Sequence, residues 1–308
     1  MMPFPRCYFM LLAISGIGMA QTPRTLAHSA DMDVQSNLVL VGTSVMDSHG
    51  TPVTGLDISR FHLFEDGKEQ AIRSCTSEDA PVSIGLVLDT SGSMSSRLAL
   101  LKQAATQFVR SSNPDDEYLL IELRQRPHVV LPFTTDTNRV LETIGRVETR
   151  GPTPLFDAVH LAVYEMRNAK YPRRAVLILS DGLNNHSLYT GRDTKRLVSE
   201  VDFPIYTINF WQHQASGNRY AIQRGDPGVL ATISEPTGGR DYPVTELREL
   251  DSVTASIGSQ IRRQYVLGFA PLTQTLDGNF HKVRVKVAPE PGFRLQVVNR
   301  SGYYAPAP

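Results

Sequence analysis

The alternation of apolar and polar positions changes rhythm twice along this chain. From Asn37 the texture is that of β-strands. Residues 38–41 and 45–46 are apolar, and a turn-rich break from Asp47 to Pro52 follows. Residues 61–64 alternate, and Asp66-Gly67, between Glu65 and Lys68, is a two-residue hairpin signal. Residues 70–76 are expected to return as the partner strand. At Pro81 the pattern becomes short apolar runs separated by helical periodicity. Strands are predicted over 84–89, 118–123, 129–133, 175–179, 205–209 and 242–244. Between them, Leu98, Leu101, Ala105, Phe108 and Val109 share a helical face, as do Val140, Ile144 and Val147. Residues 155–166 and 193–201 read as helices, and another starts at Pro227. Leu247, Leu250, Val253, Ile257 and Ile261 then mark a long amphipathic helix. Strands alternating with helices predict an α/β fold with a doubly wound, mostly parallel six-stranded sheet covered on both faces.

After Arg263 the β texture returns over 265–269, 281–287 and 293–298, with Asp277-Gly278 as a turn. Neither flanking β segment has enough strands to close a core alone. The economical arrangement pairs them into one six- or seven-stranded β-sandwich, with the α/β domain inserted between its halves. The competing arrangement lets each segment extend an edge of the α/β sheet. The expected divisions are a signal peptide at 1–20, a flexible leader at 21–36, sandwich halves at 37–80 and 264–308, and the inserted domain at 81–263.

Composition narrows the function. Of 308 residues, 41% are apolar and 20% charged, which is globular. Acidic and basic residues balance at 31 each, so no global field attracts nucleic acid or an anionic membrane. Arg6, the apolar stretch 9–17 and Gly18-Met19-Ala20 have the layout of a cleavable export signal. The chain is therefore expected to be exported, to the periplasm or the medium, with no membrane span in its mature form. Of the two cysteines, Cys7 leaves with the signal, and Cys75 remains as a small buried hydrophobe.

Candidate chemistry sits where predicted strands end. After the first α/β strand, Asp89, Ser91 and Ser93 are spaced i, i+2, i+4, so three hard oxygens can converge from one turn, which suits a small divalent cation. Thr153 lies in the Gly151-Pro152-Thr153-Pro154 lead into a helix, and Asp181 follows the strand over 175–179. Both belong to the rim of an open α/β sheet where ligands bind. Enzyme signatures fail at the same positions. A nucleophile elbow needs glycines flanking a serine, whereas Ser91 has Asp89 and Ser93 there. An aspartyl-phosphate site would want a carboxylate at position 91. The eight histidines show no zinc spacing, and His186 reads as a surface loop residue. Asp157, in a helix's first turn, is explained by the helix dipole.

Together these motifs resemble a von Willebrand factor type A (VWA) domain over about residues 82–263. The resemblance implies a Rossmann-like strand order of 3-2-1-4-5-6. It also implies a complete metal-ion-dependent adhesion site of Asp89, Ser91, Ser93, Thr153 and Asp181, holding Mg2+ with Mn2+ or Ca2+ as alternatives. The flanks at 61–68, 264–269 and 302–306 resemble those of exported bacterial proteins called VWFA-related, and the insertion resembles that of integrin β subunits. The expected function is metal-dependent binding of a partner protein's Asp or Glu. The alternatives are an assembly module whose cation only rigidifies loops, or a metal-dependent hydrolase. The long connection after Phe210 carries Trp211, Arg219, Tyr220 and Arg224, residue types frequent at interface hot spots, and is expected to form a partner-specific rim.

Overall fold

The computed structural model describes residues 38–48, 50–77, 80–210, 228–271, 277–288 and 294–306. The expected signal and leader, and the rim residues Trp211, Arg219, Tyr220 and Arg224, lie outside the described residues. The first strands are β1 (Val39–Met46), β2 (Phe61–Glu65), β3 (Lys68–Gln70) and β4 (Ile72–Thr76). The α/β region then contributes β5 (Ser83–Asp89), α1 (Leu98–Ser111), β6 (Glu117–Leu123), β7 (His128–Thr134), α2 (Thr137–Arg146) and α3 (Leu155–Glu165). It continues with β8 (Arg174–Ser180), α4 (Gly191–Glu200), β9 (Ile205–Asn209), α5 (Val229–Ser234), β10 (Asp241–Pro243) and α6 (Leu250–Arg262). The last strands are β11 (Tyr265–Phe269), β12 (Phe280–Val287), β13 (Gln296–Asn299) and β14 (Gly302–Tyr304).

Every residue of β5 is buried, as its unbroken apolar run requires of a strand covered on both faces. Ile84, Leu86 and Leu88 point into one core with Leu101, Phe108, Ile144 and Ile257 from α1, α2 and α6. Val87 points into the other, with Ala158, Val198 and Leu230 from α3, α4 and α5. The sheet order is β10-β9-β8-β5-β6-β7, parallel throughout except for antiparallel β7. This is the expected six-stranded order, with β5 and β8 side by side at its centre. The last helix starts later than expected. Leu247 lies in a 3-10 turn ahead of α6 and is 56% exposed, because the tighter winding carries it off the buried stripe.

The flanking segments form two four-stranded antiparallel sheets, β13-β1-β11-β4 and β14-β12-β2-β3. They share one core. Val41, Val45, Leu267 and Phe269 come from the first sheet, and Phe61, Leu63, Val283 and Val285 from the second. The expected sandwich is present with eight strands rather than six or seven. The additional strands arise at the hairpin and at β14. Asp66 and Gly67 take φ of 47° and 83°, the left-handed pair of a tight turn, so Glu65 meets Lys68. The return strand, however, follows β2 only as far as Gln70, and residues 72–76 cross to the other sheet to pair with β11.

The sandwich meets the α/β region at the ends of the parallel strands where they begin. Arg173, just before β8, donates from Nη1 to Arg262 O (2.9 Å) and from Nη2 to Gln264 O (3.3 Å). Ser301 N donates to Pro236 O at 2.9 Å. There Gly239 lies so close to β9 that an added Cβ would sit 1.9 Å from Ile205 O, so no other residue fits. The opposite ends, where β5 and β8 stop, are left clear of this junction. No helix among the described residues is long and apolar enough to cross a membrane.

Candidate metal centre

At the end of β5 the Asp89 side chain is fully buried. Its Oδ1 accepts from Ser91 N (3.1 Å) and its Oδ2 from Ser180 Oγ (2.5 Å), so the carboxylate is fixed between its own turn and the end of β8. Thr90 turns the other way, its Oγ1 donating to Leu123 O at 2.7 Å, which ties the turn to β6. The Ser91 and Ser93 hydroxyls then lie 3.0 Å apart. Ser91 is buried and Ser93 exposed, so solvent reaches the pair from the Ser93 side.

Two further loops are strapped onto this turn. Arg150 N donates to Thr90 O (2.8 Å) and Gly92 N to Gly151 O (2.9 Å), which holds the stretch leading to Thr153 against the Asp89 turn. Thr153 is 1% exposed. Its N–H donates to Asn185 Oδ1 (2.9 Å), while Asn185 N returns a bond to Thr153 O (3.1 Å). Asp181, next to Ser180, is 3% exposed, and its Oδ1 accepts from Leu183 N at 3.1 Å. Its Oδ2 lies 3.7 Å from Arg97 Nη1. The structure thus links Asp89, Ser91 and Ser93 directly, brings Asp181 beside them through Ser180, and ties Thr153 to them through Gly151 and Asn185.

The electrostatics follow from burial. Asp89 is pushed up to about 6 by desolvation and then by the charge of Asp181, against the lowering effect of the Ser180 and Ser91 hydrogen bonds. Two buried carboxylates with neutral hydroxyls around them are a donor set that fits a hard divalent cation. Among the described residues no group of three or more His, Cys, Asp or Glu side chains could hold a metal. Any cation here would therefore depend on the hydroxyls.

Sequence reasoning missed three contributors. Ser180 and Asn185 orient Asp89 and Thr153, and their proximity to Asp181 in the chain was the available signal. Arg97 carried none. The Asp157 side chain does more than favour a helix dipole: it accepts from Leu188 N (2.8 and 3.1 Å) and Tyr189 N (3.0 Å), pinning the loop after β8 to α3. His186 is exposed in that loop, as expected.

This arrangement has relatives. Residues 84–184 match the family model described as von Willebrand factor type A domain. The match to a VWA domain thus covers the part of the α/β region from β5 to the loop after β8, and it contains all five candidate positions. The chain is 24% identical over 188 residues to an uncharacterised protein of Borreliella burgdorferi, covering 54% of this chain and 55% of that one. It thus spans about half the length of the curated relative it matches. Among solved structures it is similar to a von Willebrand factor type A protein from Catenulispora acidiphila, at 13% identity and TM-score 0.50, over 89% of this chain and 75% of that one. It is also similar to an aerotolerance-related membrane protein from Bacteroides fragilis, at 18% identity and TM-score 0.48, over 58% of this chain and 98% of that one. At 13% identity the likeness to the Catenulispora structure is one of fold alone.

Proposed function

We propose that the VWA domain is a metal-dependent protein-binding module, an adhesion or scaffold device rather than an enzyme. Asp89, Ser91, Ser93, Thr153 and Asp181 hold Mg2+, with Mn2+ or Ca2+ as alternatives. The observation that carries this reading is the Ser91–Ser93 hydroxyl pair, 3.0 Å apart and open to solvent at Ser93, beside two buried carboxylates. When bound, a divalent cation supplies a positive centre that accepts an external oxygen ligand.

The chain's own residues favour an anionic ligand. Hydroxyls bring no charge as direct ligands, and the Asp89 carboxylate is held by its bonds from Ser91 N and Ser180 Oγ, so a cation seated on the hydroxyls keeps its pull on an external oxygen anion. The ligand that fits is a carboxylate, an exposed Asp or Glu of a partner protein. No described histidine contacts the hydroxyls as a general base would. The signal-like first twenty residues support export, to the periplasm or the medium.

The test is affinity capture from an envelope extract with the intact protein, with the protein plus EDTA, and with the Ser91→Ala/Ser93→Ala variant. A partner held by the first and lost from the other two is the expected result. Equal retention in all three arms sinks the metal bridge and leaves the fold untouched.

A further inference from the structure

Buried carboxylates need a counter-charge, and among the described residues Arg97 is the one cation paired with either aspartate of the site. It closes the 3-10 turn Gly92–Arg97, which begins at Ser91, so it is built into the same turn as the hydroxyl pair. Its side chain is 19% exposed against 4% for that of Asp181. At 3.7 Å the Nη1–Oδ2 contact is Coulombic and lacks a hydrogen bond. Asp181 Oδ1 is occupied by Leu183 N, and both Asp89 oxygens are occupied by Ser91 and Ser180. Oδ2 of Asp181 is therefore the carboxylate oxygen whose partner is held only by charge, and that partner is a long, jointed side chain reaching in from the solvent side.

We infer that Arg97 is a tethered counter-ion that sets the threshold for loading the site. In the metal-free protein its guanidinium neutralises Asp181. A divalent cation must displace it and enter against its charge. The inference rests on the reading of these residues as a cation site. Its consequence is that the site fills only where free divalent cation is plentiful, so the protein engages its partner according to where it is. Nothing in the backbone needs to move, because the Arg97 side chain can swing outward about its own torsions.

The inference predicts effects of opposite sign from one substitution, which a merely structural arginine does not give. Calorimetric titration with MgCl2, repeated with MnCl2, compares wild type, Arg97→Gln, Arg97→Lys and Ser91→Ala/Ser93→Ala. Arg97→Gln should bind Mg2+ about tenfold more tightly, the scale of one partly screened charge beside a buried site. Arg97→Lys, which keeps the charge, should stay within about twofold of wild type. Without metal, Arg97→Gln should melt below wild type, and with saturating Mg2+ the two should melt together. Arg97→Met repeats the neutralisation if the amide disturbs the turn. Equal Mg2+ affinity of wild type and both neutral variants, with the double serine variant silent, overturns the inference and leaves the cation site standing. So does an equal loss of melting temperature with and without metal. If no protein, Arg97→Gln included, takes up Mg2+ or Mn2+, both readings fall. Uptake by Arg97→Gln alone would be the inference in its strongest form.

Discussion

At the scale of single residues, the candidate site is organised by groups that would not themselves touch a cation. Ser180 Oγ fixes Asp89, and Asn185 holds Thr153 through both its side chain and its own N–H. Replacing Asn185 by alanine leaves the buried Thr153 N–H without its acceptor and frees the loop that carries the Thr153 hydroxyl. Supporting partners of this kind are worth about 10- to 100-fold in metal affinity. Asn185→Ala should therefore lose about tenfold or more in Mg2+ affinity by calorimetric titration while still folding. Unchanged affinity would mean that Thr153 is not part of the site. The five candidate positions were legible because each follows a predicted strand or leads into a predicted helix, and because they recur in a known order. Arg97 was not. Whether a surface arginine turns toward Asp181 depends on the path of β8, which nothing in the stretch 92–97 encodes.

At the scale of elements, the strands buried on both sides were the easiest to read. β5, with seven buried residues, has no other stable environment. The flanking strands were harder, because an alternating pattern says which face is buried and not which neighbour pairs. Residues 70–76 were expected as the return strand beside β2, yet only Lys68–Gln70 pairs with it and the chain gives 72–76 to β11. Only the shared core of the two sheets explains that crossing, and it needs residues from both ends of the chain. The loop between β8 and α4 shows the same limit. It looks like an ordinary polar connection, but Asp157 accepts from two of its amides and Tyr189 stacks on His160 with ring centres 3.5 Å apart. Asp157→Ala should free this loop and raise hydrogen exchange at Leu188 and Tyr189, at a stability cost of about 1 kcal/mol. Unaltered exchange at those amides would show that the aromatic stack alone holds the loop.

At the scale of the molecule, the insertion has a mechanical logic. Both crossings between sandwich and VWA domain lie at the starting ends of the parallel strands, and the candidate site lies at their finishing ends. The sandwich therefore supports the domain without covering the face that would meet a partner. Within the sandwich, β1 lies between β13 and β11, and β2 lies between β12 and β3. Each half makes only a two-stranded pair of its own, β2 with β3 and β12 with β14, so both four-stranded sheets close only after the whole α/β region has been traversed. Arg173 is the clearest tie between the two parts. One guanidinium donates to Arg262 O at the end of α6 and to Gln264 O at the start of the sandwich, and Arg173 O accepts from Ser83 N where β5 begins. Arg173→Ala removes the two charged donors and keeps the backbone bond. It should cost about 2 kcal/mol, chiefly at the junction, since hydrogen bonds from charged groups are the stronger kind. Because the loss falls between the sandwich core and the cores that flank the α/β sheet, scanning calorimetry should show unfolding broaden or divide relative to wild type, with Mg2+ affinity unchanged. A variant that still unfolds in one sharp step at the wild-type temperature would mean that the covalent crossings and the Ser301–Pro236 contact hold the two parts together without Arg173.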